Sequence, residues 1–232
     1  MRNRNGASPG LSPTEAVWGW GYWAFQLFLL PSILIAVSGV LPDPLSNSEI
    51  NFLFFLINFL VVILIFHGFL GRSLRQVTAH PAYFCQAVIL GLAAYFACAF
   101  LVEKCVRLLD PDFHNFNDAS IAILGSGNYF LTALGTVVFV PLAEECFYRG
   151  LFFRHISGKS LWAAYLLSIT VFAAIHIVGF IGVYSPLGIL LSFLQYLPAG
   201  LCLAWSFQKS GTIFAPILIH TIINAYGIFH MR

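Results

Sequence analysis

Charge is what this sequence has least of. Asp, Glu, Lys and Arg make up 9% of its 232 residues, hydrophobic residues make up 59%, and mean hydropathy is +0.87. Soluble globular domains carry ~25% charged residues, so this scarcity excludes an ordinary water-exposed surface and leaves a polytopic membrane protein. A net charge of +2 is too small for the basic surface that nucleic acid requires, and the few cations read better as topology signals. CxxC pairing is missing. The five cysteines, Cys85, Cys98, Cys105, Cys146 and Cys202, follow no regular spacing and sit mostly in apolar runs, as small core residues do. HExxH, internal repeats and low-complexity tracts are absent as well.

What is abundant is apolar sequence in long runs, at about 18–41, 50–70, 82–102, 129–155, 161–184, 187–207 and 212–229. A helix needs about 20 apolar residues to cross a bilayer, so the expected fold is an all-α, polytopic helix bundle with about seven transmembrane helices, within a range of six to eight. Residues 1–17 are polar and basic and are expected to form a cytoplasmic tail. The run after them is too long for a signal-peptide core and shows no clear cleavage site. The longest polar break, at 103–117, contains Asp110, Pro111 and Asp112, and 119–124 belongs either to an interfacial helix or to the start of the fourth span. With the N-terminus inside, Arg2, Arg4, Arg72, Arg75, Arg149, Arg154, Lys159 and Lys209 lie on the cytoplasmic side, against Lys104, Arg107 and Arg232 opposite. Arg149 leaves that count if it belongs to a buried site.

Three patterns place proton-handling side chains inside these runs: EECFYRG at 144–150, FAAIH at 172–176 and HTIIN at 220–224. Ionisable groups at membrane depth are costly and mark functional sites by default. On an α-helix Glu145 and Arg149 fall within about 40° of each other, the geometry of an ion pair, whereas Glu144 points about 100° away and is left unpaired. Two carboxylates in different surroundings can divide acid and base roles; a charged cluster at a helix end is the plainer alternative. Phe172 and His176 share a face, which also suits a hydrogen-bonded core histidine. His220 and Asn224 share a face and can present an imidazole and a carboxamide N–H to one point, as oxyanion donors do, or simply tie helices together. Glu144 and His176 lie at similar distances from the turn at 157–160, while His220 is only about eight residues into its run and reads as shallower. Glu144, His176 and His220 could also ligate zinc, although a Glu and a His that activate water together need no ion.

In this order and spacing the residues resemble the CPBP intramembrane proteases, which include the type II CAAX prenyl endopeptidases and the bacteriocin-processing and immunity (Abi-like) proteins. The family pattern EExxxR, FxxxH, HxxxN/D is matched by Glu144, Glu145 and Arg149, by Phe172 and His176, and by His220 and Asn224. The resemblance covers about 129–227. It divides the chain into the tail, helices at 18–125 without a family signature, and a catalytic bundle at 126–232. It implies peptide-bond hydrolysis in a membrane-anchored protein or peptide, within the lipid bilayer and without nucleic acid. Glu144 would act as general base assisted by His176, His220 and Asn224 would stabilise the oxyanion, and Arg149 would hold Glu145. No cofactor is expected on this reading, and zinc is the alternative. Family members cut after a prenylated cysteine, within double-glycine leaders or at sorting signals, so the substrate stays open. A bacterial plasma membrane suits a multi-pass chain of this kind. A non-proteolytic immunity or binding protein and a proton-coupled transporter are the competing functions; the complete motif set speaks against the first, and the lack of an inverted repeat against the second.

Overall fold

A computed structural model describes residues 10–230, so most of the expected tail, with Arg2 and Arg4, and the terminal Arg232 lie outside the described residues. The described chain is helical throughout, in nine helices: α1 Pro13–Phe28, α2 Leu30–Gly39, α3 Asn47–Ala79, α4 Pro81–Leu109, α5 Phe116–Gly127, α6 Tyr129–Ser157, α7 Leu161–Ile175, α8 Pro186–Ser210 and α9 Phe214–His230. Local chemistry sets the ends. Ser12 with Glu15 and Ser46 with Glu49 form capping boxes that open α1 and α3. Asn115, Asn128, Ser160 and Ser185 cap α5, α6, α7 and α8 through their side chains. Gly211 closes α8 at φ 70°, a left-handed conformation that a residue with a Cβ rarely adopts.

All seven apolar runs are helical, yet helix length does not reproduce a count of seven spans. Four helices, α3, α4, α6 and α8, are long and apolar enough to cross a membrane, or five if α1 and α2, bent by 47° at Leu29, make one broken span. The fifth and seventh runs fall short for physical reasons. The fifth stops being helical at Ile175, giving 15 residues, and α9 has 17; at 1.5 Å per residue these rise about 22 Å and 26 Å, less than the ~30 Å hydrocarbon core. The segment at 119–124 belongs to a separate helix, α5.

One core joins the helices before residue 126 to those after it. Val62, Phe66, Phe69 and Ala87 of α3 and α4 pack with Phe147, Leu151, Phe172, Leu203 and Ile219. α8 is the central strut, lying against α4, α7 and α9. Its approach to α7 is close at Gly200, where an added Cβ would stand 3.1 Å from the Ile169 Cα. Cys146 and Cys202 are buried as expected, whereas Cys85 and Cys105 are on the outer surface; all five cysteines are free.

Candidate functional site

The centre of the bundle is built around α6, which is not a regular α-helix. Its stretches Gly135–Phe139 and Cys146–Phe153 wind as π-helix and flank the Val140–Glu145 segment that carries both glutamates. Such wide turns recur at functional sites because they re-aim side chains and free backbone groups.

Glu145 and Arg149 are both 0% exposed and meet through Arg149 Nη1 and Glu145 Oε1 at 2.9 Å, the pair expected from their spacing. Arg149 also donates from Nη2 to the Gly200 carbonyl at 3.0 Å, and its guanidinium lies 4.7 Å from the centre of the Phe172 ring. The close approach at Gly200 therefore seats the cation. The pair is not bidentate, since Glu145 Oε2 and Arg149 Nε find no hydrogen-bond partner among the described residues. It is a buried charge pair whose disruption costs more than its presence gains.

His220 completes this cluster. Its Nδ1 lies 2.8 Å from Glu145 Oε1, the oxygen that already accepts from Arg149. A carboxylate oxygen engaged by a guanidinium is an acceptor, so Nδ1 carries the hydrogen and Nε2 keeps its lone pair. His176 is oriented by the same logic. It sits at the C-cap of α7, its Nδ1 2.7 Å from the Phe172 carbonyl, which can only accept. Its Nε2 is likewise left with a lone pair.

Both free nitrogens face Glu144. His176 Nε2 and His220 Nε2 are each 4.0 Å from Glu144 Oε2, and that oxygen has no hydrogen-bond partner among the described residues. In the neutral tautomers that these contacts select, three lone-pair-bearing atoms surround one gap. His220 is level with the glutamates, contrary to the shallower depth expected for it. The ends of α6 and α9 are not level, so residue counts from each end do not measure the same depth.

Asn224 does not share a target with His220. Its Nδ2 donates to the Thr136 carbonyl at 2.8 Å. In the π-helical stretch the Val140 N–H goes to the Gly135 carbonyl, and Pro141 has no N–H to offer, so Thr136 loses the helical donors it would otherwise use. Asn224 satisfies that orphaned carbonyl and keeps its second N–H.

The gap opens onto a cavity of about 930 Å³ lined by Glu144, His176, His220 and Asn224 on one side. Apolar side chains of α3 and α4, among them Phe54, Phe55 and Phe96, form another wall. The remaining wall is polar and had no motif to announce it. Asn115 donates to Gln195, Gln195 donates to Glu103, and Asn117 donates to the Tyr196 hydroxyl, at 2.8, 2.8 and 2.9 Å. Asp118 reaches the same hydroxyl at 3.3 Å; its surface is open to the cavity, yet the protein crowded around it pushes its carboxyl above the usual range, with the Tyr196 hydrogen bond and His176 acting in the opposite sense. The trace in the sequence is the cluster of His114, Asn115, Asn117 and Asp118 around the start of α5.

The donor set of Glu144, His176 and His220 has the chemistry of a zinc site, but its spacing does not suit one. Ligand atoms sharing a tetrahedral zinc lie about 3.4 Å apart, as follows from bonds of about 2.1 Å. No group of three His, Cys, Asp or Glu among the described residues is arranged to hold a metal.

Comparison with known proteins places all seven motif residues inside one matched segment. Residues 126–226 match the family model of type II CAAX prenyl endopeptidase Rce1-like proteins. The UPF0177 protein YbdI of Lactococcus lactis subsp. lactis (strain IL1403) is 32% identical over 96 residues, 41% of this chain and 46% of the relative, so the match spans about half of that protein's length. No solved structure matches the chain. The resemblance expected from the motifs is thereby shown over residues 126–226.

Proposed function

We propose that this protein is an intramembrane endopeptidase that hydrolyses a peptide bond in a membrane-associated protein or peptide, using water activated by Glu144 and His176. The observation that carries the reading is the convergence of Glu144 Oε2, His176 Nε2 and His220 Nε2 on one gap. Three acceptors call for a donor between them. A water molecule fits: bridging two acceptors at about 2.8 Å each, it accommodates separations of about 4 to 4.6 Å. Its two hydrogens point at Glu144 and His176, and an oxygen lone pair faces the cavity.

Glu144 takes a proton as the water oxygen attacks the scissile carbonyl carbon, and His176 holds the water in line. The developing oxyanion falls to His220 and the free N–H of Asn224. With Nδ1–H committed to Glu145, His220 donates from Nε2 once Glu144 has passed it the proton taken from water, and the Glu145 carboxylate offsets the imidazolium charge. The proton taken from water then passes to the leaving amine. No metal is required by this sequence of steps. Endopeptidase activity in the matched family supports the reaction class, and a bacterial relative supports a bacterial plasma membrane as the setting. With Arg149 sealed in the core, the remaining basic residues still favour a cytoplasmic N-terminus.

The test is cleavage of membrane-anchored reporter substrates by reconstituted protein. Glu144→Gln keeps the side chain's shape but removes the base, and turnover should drop by about 10²-fold to 10⁴-fold with normal folded abundance. Wild-type turnover in that variant would remove Glu144 from the mechanism.

A further inference from the structure

We propose that Tyr196 is a positioning residue of the site, one that sets the plane of the His176 ring so that Nε2 faces Glu144. The Tyr196 ring stacks on the imidazole with centroids 4.3 Å apart and planes 24° apart. Phe172 meets the edge of the imidazole at 4.7 Å and also lies 6.5 Å from Tyr196, so the two aromatic rings form a corner around His176. Its hydrogen bond to the Phe172 carbonyl fixes one nitrogen, but a single bond from Nδ1 leaves the ring free to swing about that contact. The Tyr196 stack on one face and Phe172 at the edge remove that freedom.

Tyr196 is itself fixed at its far end. Its hydroxyl accepts from Asn117 Nδ2 at 2.9 Å and lies 3.3 Å from Asp118 Oδ1 and 3.4 Å from Asn115 Oδ1, both acceptors for its hydrogen. These three partners stand at or next to the start of α5, across the cavity from α6 and α7. A phenol clasped at its tip by a different helix cannot flip away from the ring it covers. The clasp therefore joins the α5 wall of the cavity to the aim of His176. Displacing the histidine's nitrogen by about 1 Å is enough to cost about 100-fold in rate, so the ring's effect falls on kcat.

The inference rests on the proteolytic reading, and the experiment separates the two. Reporter cleavage and kcat against KM are measured for wild type, Tyr196→Leu, Tyr196→Phe and Asp118→Asn. Carbethoxylation of His176 by diethyl pyrocarbonate is followed in the same proteins by mass spectrometry. Tyr196→Leu should lower kcat by about 10-fold to 100-fold with KM within about twofold, and should speed modification of the uncovered imidazole. Tyr196→Phe keeps the stack and should recover most of that kcat, losing only a few-fold as Asp118→Asn does. A Leu variant with wild-type kcat, or a loss carried by KM alone, overturns the proposal. If the Leu variant is not recovered folded, unchanged kcat in both Tyr196→Phe and Asp118→Asn overturns the clasp. A wild-type protein that cleaves nothing fails the proteolytic reading instead, and the modification rates still report whether the stack exists.

Discussion

His220 and Glu145 are joined through Nδ1 and Oε1 at 2.8 Å, so the buried pair of Glu145 and Arg149 extends into the candidate site. A residue that would otherwise only hold the core together also decides which nitrogen of His220 faces the gap. This link makes stability and turnover inseparable at Glu145 and ties both to Arg149 through the shared Oε1.

Arg149→Ala is expected to cost about 3 to 5 kcal/mol, the range for stranding one partner of a buried pair. Thermal melts in detergent of Arg149→Ala, Glu145→Ala and the double variant should show losses well short of additive, because the two side chains share one interaction. Additive losses would mean they do not meet. Among variants that stay folded, kcat should fall more for Glu145→Ala, which also frees His220.

Asn224→Ala should lower the melting temperature as well as turnover. It leaves the Thr136 carbonyl without its donor, which costs about 1 to 3 kcal/mol. Asn224→Asp should melt lower still, since a carboxylate would face that carbonyl. If Asn224→Ala melts like wild type, the hydrogen bond to Thr136 is not formed.

Gly200→Ala places a Cβ 3.1 Å from the Ile169 Cα and 3.4 Å from the Ile169 carbonyl oxygen, both backbone atoms that cannot step aside. It should destabilise by about 1 to 3 kcal/mol, as overpacked positions do. Because the Gly200 carbonyl holds Arg149, activity should fall with it. A melt unchanged from wild type would show that α7 and α8 are not in contact there.

Cleavage should survive exhaustive chelation and dialysis, and elemental analysis should find far less than one zinc per chain. Loss of activity that only added zinc restores would make Glu144, His176 and His220 ligands instead.

The pairing of Glu145 with Arg149 was readable because both residues lie on one helix, four apart, and the charge arithmetic has one answer. The contact of Phe172 with His176 was readable for the same reason. What escaped was everything that depends on a second helix or an irregular one. His220 finds Glu145 across 75 positions, and the Tyr196 hydroxyl finds Asn117 across 79. No local periodicity encodes those meetings. The π-helical turns of α6 were also invisible, since a count at 3.6 residues per turn assumes the very regularity they break, and the role of Asn224 depends on them. Helix α7 ends at Ile175 although the sequence stays apolar to residue 184, because hydropathy does not distinguish a helix from an apolar irregular segment.

That early end of α7 bears on where water comes from. Past His176 the chain runs through a short 3₁₀ turn and an irregular stretch before α8, and Val178, Ile181, Val183 and Tyr184 are all exposed there. Irregular backbone at bilayer depth persists only beside protein or a wetted cavity, and a helix shorter than the hydrocarbon core draws the bilayer thinner around it. Where this stretch borders lipid, the bilayer would be drawn thin and wet on the flank of His176. The proposed hydrolysis consumes water in a medium that excludes it, and the shortened helix would give that reagent a short path from the aqueous phase.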